Sequence, residues 1–139
     1  MFSLLRLMGD AAYAIIPPVA VLVLFALRIA LLPERGELDV VAHFLGGFAI
    51  AWMTMIVWER WSDRKWIPKM VPRWLRNYTV WGTVGIVGIA WEFMETLVSI
   101  YTAYMLQFSI AETMGDLFMA LWGGLVFILL YTLFKRGSV

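Results

Sequence analysis

Six ionisable side chains sit within or at the edges of long apolar runs: Asp39, His43, Glu92, Glu95, Glu112 and Asp116. They form three pairs. Asp39/His43 and Glu112/Asp116 are spaced i,i+4 and Glu92/Glu95 is spaced i,i+3, so on helices each pair shares one face. A charge at the middle of a membrane span costs roughly 2.5–3.5 kcal/mol on insertion scales, which is why such residues face a bundle interior and carry a function. Five carboxylates and one imidazole cannot all remain ionised in a low-dielectric bundle without compensation.

Three chemistries would supply that compensation. The first is a divalent cation, since helix bundles build such centres from inward Glu and His at one-turn spacing. An oxygen-rich set suits Mg²⁺, Mn²⁺, Ca²⁺ or an iron pair, and His43 also admits Zn²⁺. The second is proton sharing, as in a proton relay or cation pathway. The third is structural. Asp39 and Glu112 would cap helices at the water boundary, leaving His43, Arg28 and the other acids in a hydrogen-bonded knot. Under the metal reading, His43, Glu92, Glu95 and Asp116 are the expected ligands, with Asp39 and Glu112 completing the set or orienting His43. Glu92, Glu95 and His43 are then the candidates for catalysis.

The elements that carry these groups follow from composition. Of the 139 residues, 63% are hydrophobic, against about 45–50% in ordinary soluble domains. Mean hydropathy is +0.82. This predicts an all-α, polytopic membrane protein: one domain of four transmembrane helices in an antiparallel bundle. With no cysteine, neither a disulfide framework nor a thiolate metal site is available. Spans are expected at residues 11–32, 39–58, 78–101 and 112–134, each long enough at ~1.5 Å per residue to cross a ~30 Å core. Residues 11–32 are too long for a signal peptide and lack a small-x-small cleavage site after them. Pro17 and Pro18 should kink the first span or start it late. The acids and Gly36 within 33–37 read as a turn. Gly82, Gly85 and Gly88 make a flat stripe on the third span, and Gly123-Gly124 a second point of close approach. The connection 102–111 is apolar enough to dip into the headgroups or cover the site.

Residues 59–77 form a basic stretch with Arg60, Arg64, Lys65, Lys69, Arg73 and Arg76 among Trp61, Trp66 and Trp74. Pro68 and Pro72 make a continuous helix unfavourable there. The pattern reads as a cytoplasmic loop with an aromatic belt under the positive-inside rule. Nothing in it signals nucleic-acid binding; membrane lipids and further copies of the chain are the expected partners. Both termini are then cytoplasmic. That side receives nine of the eleven basic residues and three of the ten acids, leaving about +6 inside and −5 outside. Depths follow from the helical rise. His43 and Asp116 fall ~6 Å below the outer face, Glu95 ~9 Å and Glu92 ~14 Å. All six groups therefore belong to the outer half of the membrane. Arg28, one turn before the end of the first span, either snorkels to the headgroups or serves the site as a phosphate contact.

Three sequence blocks also carry a resemblance. Asp39-Val-Val-Ala-His43-Phe44 with Gly47, Trp91-Glu92-Phe93-Met94-Glu95, and Glu112-Thr113-Met114-Gly115-Asp116 with Ala120-Leu121-Trp122-Gly123 occur in that order. In this the chain resembles the YjdF family of bacterial inner-membrane proteins and, more distantly, the VanZ-like proteins. Glu112 departs from the pattern, standing where the family has Asp. The resemblance implies the site positions and an inner-membrane location, but no reaction. VanZ-like proteins are associated with teicoplanin resistance at the cell envelope, which favours work on a lipid or envelope component. The expectation is an intramembrane carboxylate/His site near the outer leaflet, binding a divalent metal (Zn, Mg, Mn or Fe). If the protein is an enzyme, its chemistry is metal-assisted and acts on a lipid-like substrate. The alternatives are a small oligomeric proton or cation conductor and an assembly subunit. The absence of ionisable residues over 79–90 argues against a conductor.

Overall fold

The computed structural model describes residues 2–31, 37–68, 70–101 and 109–136, with side chains described over 12–27, 31, 38–68, 70–101 and 109–135. The turn expected at 33–37, apart from Glu37, and most of the connection at 102–111 lie outside these residues. The described chain is an all-α membrane bundle of four helices: α1 (Phe2–Leu31), α2 (Glu37–Asp63), α3 (Arg73–Tyr101) and α4 (Ile110–Arg136). Helices α2, α3 and α4 are each long and apolar enough to cross a membrane, and α1 carries the apolar stretch Ala12–Leu27. At 27 residues, α2 is about 40 Å long, which exceeds a ~30 Å hydrocarbon core.

The helices overrun the apolar runs that announce them. Helix α1 continues through Pro17 and Pro18, so the proline pair does not delay its start. Each proline removes a backbone N–H bond, a loss that membrane helices absorb by local readjustment. Between α2 and α3 the break falls where Pro68 and Pro72 require it. Arg76 N–H donates to the Pro72 carbonyl at 3.2 Å, closing the first turn of α3. Arg60, Arg73 and Arg76 consequently lie on helices, and the interhelical segment is shorter than 59–77.

Packing runs α1 on α2, α2 on both α3 and α4, and α3 on α4. Helices α2 and α4 run parallel, and their contact is the tightest in the bundle. A Cβ on Gly47 would collide with the Ala120 backbone, and one on Gly123 with the Phe44 carbonyl group and, at 3.1 Å, the Phe48 nitrogen. Gly124 faces Val84 of α3, where a Cβ would come within 2.9 Å of Cγ2. The glycine stripe of α3 is used differently from the sequence expectation. Gly85 and Gly88 meet only side-chain tips of α4, and Gly82 has no neighbour within 4 Å. The apolar core begins at these crossings and continues below them, with Ala51, Met55, Val80, Val84, Ala120, Phe127 and Ile128. Phe48 packs edge-on to Phe127 at 5.2 Å. At the end near the basic segment, Glu59 accepts from both Tyr131 and Lys135, tying α2 to α4. The outer surface is covered by exposed apolar side chains such as Leu24, Ile86, Phe93 and Leu133, as a lipid-facing surface requires.

The glycine contacts lead to a contrast. Gly47→Ala and Gly123→Ala should each destabilise the bundle by about 2–3 kcal/mol or more, because backbone and not a flexible side chain must move. Gly82→Ala should stay within ~1 kcal/mol of the unsubstituted protein. Thermal unfolding in detergent measures both.

Candidate metal centre

Each pair of site residues is positioned by the opening or closing turns of its helix. Asp39 lies in the first turn of α2, with His43 one turn further along. Helix α4 opens at Ile110 and is capped by Ser109. Glu112 N–H donates to Ser109 Oγ at 3.2 Å, and Thr113 N–H donates to the Ser109 carbonyl at 3.2 Å. Ser109-x-x-Glu112 has the form of a capping box. The capping roles read for Asp39 and Glu112 are therefore corrected. Both helices start two residues before these acids, which sit inside them. Because α2 and α4 run parallel, Asp39–His43–Gly47 and Glu112–Asp116–Ala120 descend side by side. The Gly47–Ala120 contact lies one turn below His43 and Asp116.

His43, Glu92, Glu95 and Asp116 are the buried polar side chains among the described residues, with exposures of 9%, 5%, 3% and 6%. The imidazole stands between α3 and α4. Its Nδ1 is 3.8 Å from Glu92 Oε1, and its Nε2 is 3.9 Å from Asp116 Oδ2. Both separations are too long for hydrogen bonds. The Nε2–Asp116 separation suits two donors sharing one ion, since atoms each about 2.0–2.2 Å from a metal stand ~3–4 Å apart. Nε2 of His43 is fully buried and has no hydrogen-bond partner among the described residues, an unusual state for a buried ring nitrogen.

Donor atoms converge in two overlapping groups, Asp39–His43–Asp116 and His43–Glu92–Glu95, each within 4.8 Å. His43 belongs to both. Glu112 falls outside them among the described residues. Arg28 belongs to α1, but its side chain lies outside the described residues.

Two contributors are invisible to a reading of acid and base spacing. Trp91 Nε1 donates to Glu95 Oε1 at 2.8 Å, and Thr113 forms a side-chain hydrogen bond with Glu92. The first could have been found, because Trp91 and Glu95 are one turn apart on α3. The second depends on how α4 is rotated against α3, which no local pattern encodes.

Residues 1–137 match the family model described as "Predicted membrane protein (DUF2238)". The chain belongs to this family. That membership agrees with the four helices and their lipid-facing surface. No curated protein and no solved structure matches the chain significantly.

The Trp91–Glu95 contact sets a testable cost. Trp91→Phe leaves a buried Glu95 oxygen without its donor and should destabilise the protein by about 1–3 kcal/mol. The cost should shrink in a Glu95→Leu background, a coupling that a double-mutant cycle on thermal stability would read.

Proposed function

We propose that this membrane protein binds one divalent metal ion at the acidic end of its bundle and uses it to act on a lipid or envelope component. The observation that carries this reading is the buried Nε2 of His43, which has no hydrogen-bond partner among the described residues and lies 3.9 Å from Asp116 Oδ2. Nε2, Asp116 and Asp39 would hold the ion. Glu92, whose Oε1 stands 3.8 Å from Nδ1, would close to hydrogen-bond distance when the ion is held, accept the ring N–H and so fix the tautomer, the usual carboxylate support of a metal-bound histidine. One nitrogen with several carboxylate oxygens favours Zn²⁺, Mn²⁺ or Fe²⁺ over Mg²⁺, which retains several waters.

When bound, such an ion supplies Lewis-acid polarisation of a phosphoryl or carbonyl oxygen. The chain's own residues supply the rest. Glu92 and Glu95, the latter oriented by Trp91, stand on the far side of the imidazole, where they would hold the ring in place for the ion. Arg28, one turn from the end of α1 nearest the site, is the candidate phosphate contact.

An inner (plasma) membrane location, cytoplasmic termini and a site toward the outer leaflet are part of the same proposal. They rest on the basic stretch between α2 and α3. The likeness to YjdF and VanZ-like proteins rests on the three sequence blocks and supports an envelope substrate. A conducting pathway is disfavoured, because Ala51, Met55, Val80 and Val84 fill the bundle beneath the acids.

Metal content of the purified protein, saturated with Zn²⁺ or Mn²⁺ and then desalted, tests the site. The unsubstituted protein should retain about one ion per chain. His43→Ala and Asp116→Asn should lose it, whereas Glu92→Gln should bind about 10–100-fold more weakly, as loss of an outer support does. No ion at saturation in the unsubstituted protein would end the proposal.

A further inference from the structure

Directly beneath His43 lies a second feature that the metal chemistry does not use. It is a cavity of ≈ 170 Å³ walled by all four helices, with Val21 and Phe25 from α1, Gly46 and Ile50 from α2, and Val84 and Trp91 from α3 on its sides. His43 is its one ionisable lining residue among those described. Its walls descend together from His43 to Ile50, from Trp91 to Val84 and from Phe25 to Pro18. Each of these runs covers eight residues, or seven steps of ~1.5 Å, so the cavity is a slot ~10 Å long, parallel to the helices. It therefore runs from the acidic end toward the bilayer middle.

The slot is dry by composition, since a water there would find almost none of the polar partners it needs. It is also open sideways. Leu22 lines it and is still 46% exposed. Helix α1 packs along α2 and is not packed along α3 among the described residues, although Phe25 meets Trp91 edge-on at 5.4 Å. A cavity of ~150 Å³ holds a benzene-sized group of six carbons. Drawn out over ~10 Å, this volume is about one unbranched chain wide. The bilayer beside it consists of such chains. Trp91 closes the upper end, and its indole N–H is bonded to Glu95, so one residue joins the wall of the slot to the acids.

We infer that the slot takes one acyl chain of a glycerophospholipid whose polar head lies at the His43 cluster. The inference deepens the metal reading and names its substrate class. Head at the acids and chain toward mid-bilayer is the orientation of a lipid in the adjoining leaflet. A chain in the slot would hold the headgroup ester or phosphate beside His43 without any hydrogen bond to the tail. The narrow section selects an unbranched acyl chain over a methyl-branched prenyl chain.

The full chain, reconstituted into phosphatidylethanolamine/phosphatidylglycerol vesicles doped with phosphatidylglycerol bearing a mid-chain diazirine, provides the test. Photolysis followed by peptide mapping reads where the chain lies, and metal content is measured on the same samples. Saturable adducts are expected at Ile50 and Val84, which face the slot. They should be lost in Gly46→Leu, where a new Cβ meets only Val21 Cγ1 at 4.0 Å, and in Val21→Phe on the opposite wall, with metal retained in both. A polyprenyl phosphate carrying the same photogroup should not label these positions. Adducts confined to the outward-facing Ile86 and Phe93, or slot labelling unchanged in both variants, would overturn the inference. Slot labelling that depends on Gly46 and Val21 in a protein holding no metal would sustain the acyl-chain site and remove only the metal reading.

Discussion

The close crossing of α2 and α4 is the constraint on which the rest depends. Gly47 against Ala120 and Gly123 against Phe44 let two parallel backbones approach to a distance that no side chain would permit. The consequence appears one turn above, where His43 and Asp116 are brought to 3.9 Å. Their partners Asp39 and Glu112 stand a further turn up. Because each helix turn is rigid, the geometry of the glycine contact is transmitted directly to the donor atoms. A wider crossing would separate the imidazole from Asp116 and leave each group buried alone, a costly state for either.

Around this crossing the bundle divides into three levels. The upper level is polar, with three buried carboxylates around one imidazole. Beneath it lies the apolar slot against α1, which His43 and Trp91 share with the acids. The third level is the packed core of Ala51, Met55, Val80 and Phe127, closed at the basic end by Glu59, Tyr131 and Lys135. A polar head above an apolar cleft, with a sealed floor, matches an amphiphile more closely than a diffusible ion. Helix α1 forms the side wall of the cleft, and its exposed Leu22 and Leu27 leave that wall in contact with the bilayer.

Much of this was legible in the sequence, and the part that was not has a physical pattern. Long apolar runs announced four helices, and Pro68 and Pro72 marked the break between α2 and α3, because both are local effects. The one-turn spacing of Asp39/His43, Glu92/Glu95 and Glu112/Asp116 was equally readable, since a helix fixes which side chains share a face. Contacts between helices were legible only in part: Gly123-Gly124 reads as a point of close approach and is one, but its partners do not follow from the sequence. Gly82, Gly85 and Gly88 form a more conspicuous stripe than Gly47, yet Gly47 makes the decisive contact, because only the pairing of α2 with α4 puts a backbone in front of it. Ser109 does not stand out as a cap because it precedes the apolar run that marks α4. The slot could not be foreseen at all, being a space left between all four helices.

X-ray absorption at the metal edge of the zinc-loaded protein tests the central claim most directly, because it reads the donors around the ion. The account predicts one imidazole nitrogen with carboxylate oxygens at about 2.0–2.2 Å, and loss of the imidazole scattering in His43→Ala. A shell of oxygens alone, unchanged by that substitution, would mean that the ion sits elsewhere and that the crossing of α2 and α4 does not build a metal centre.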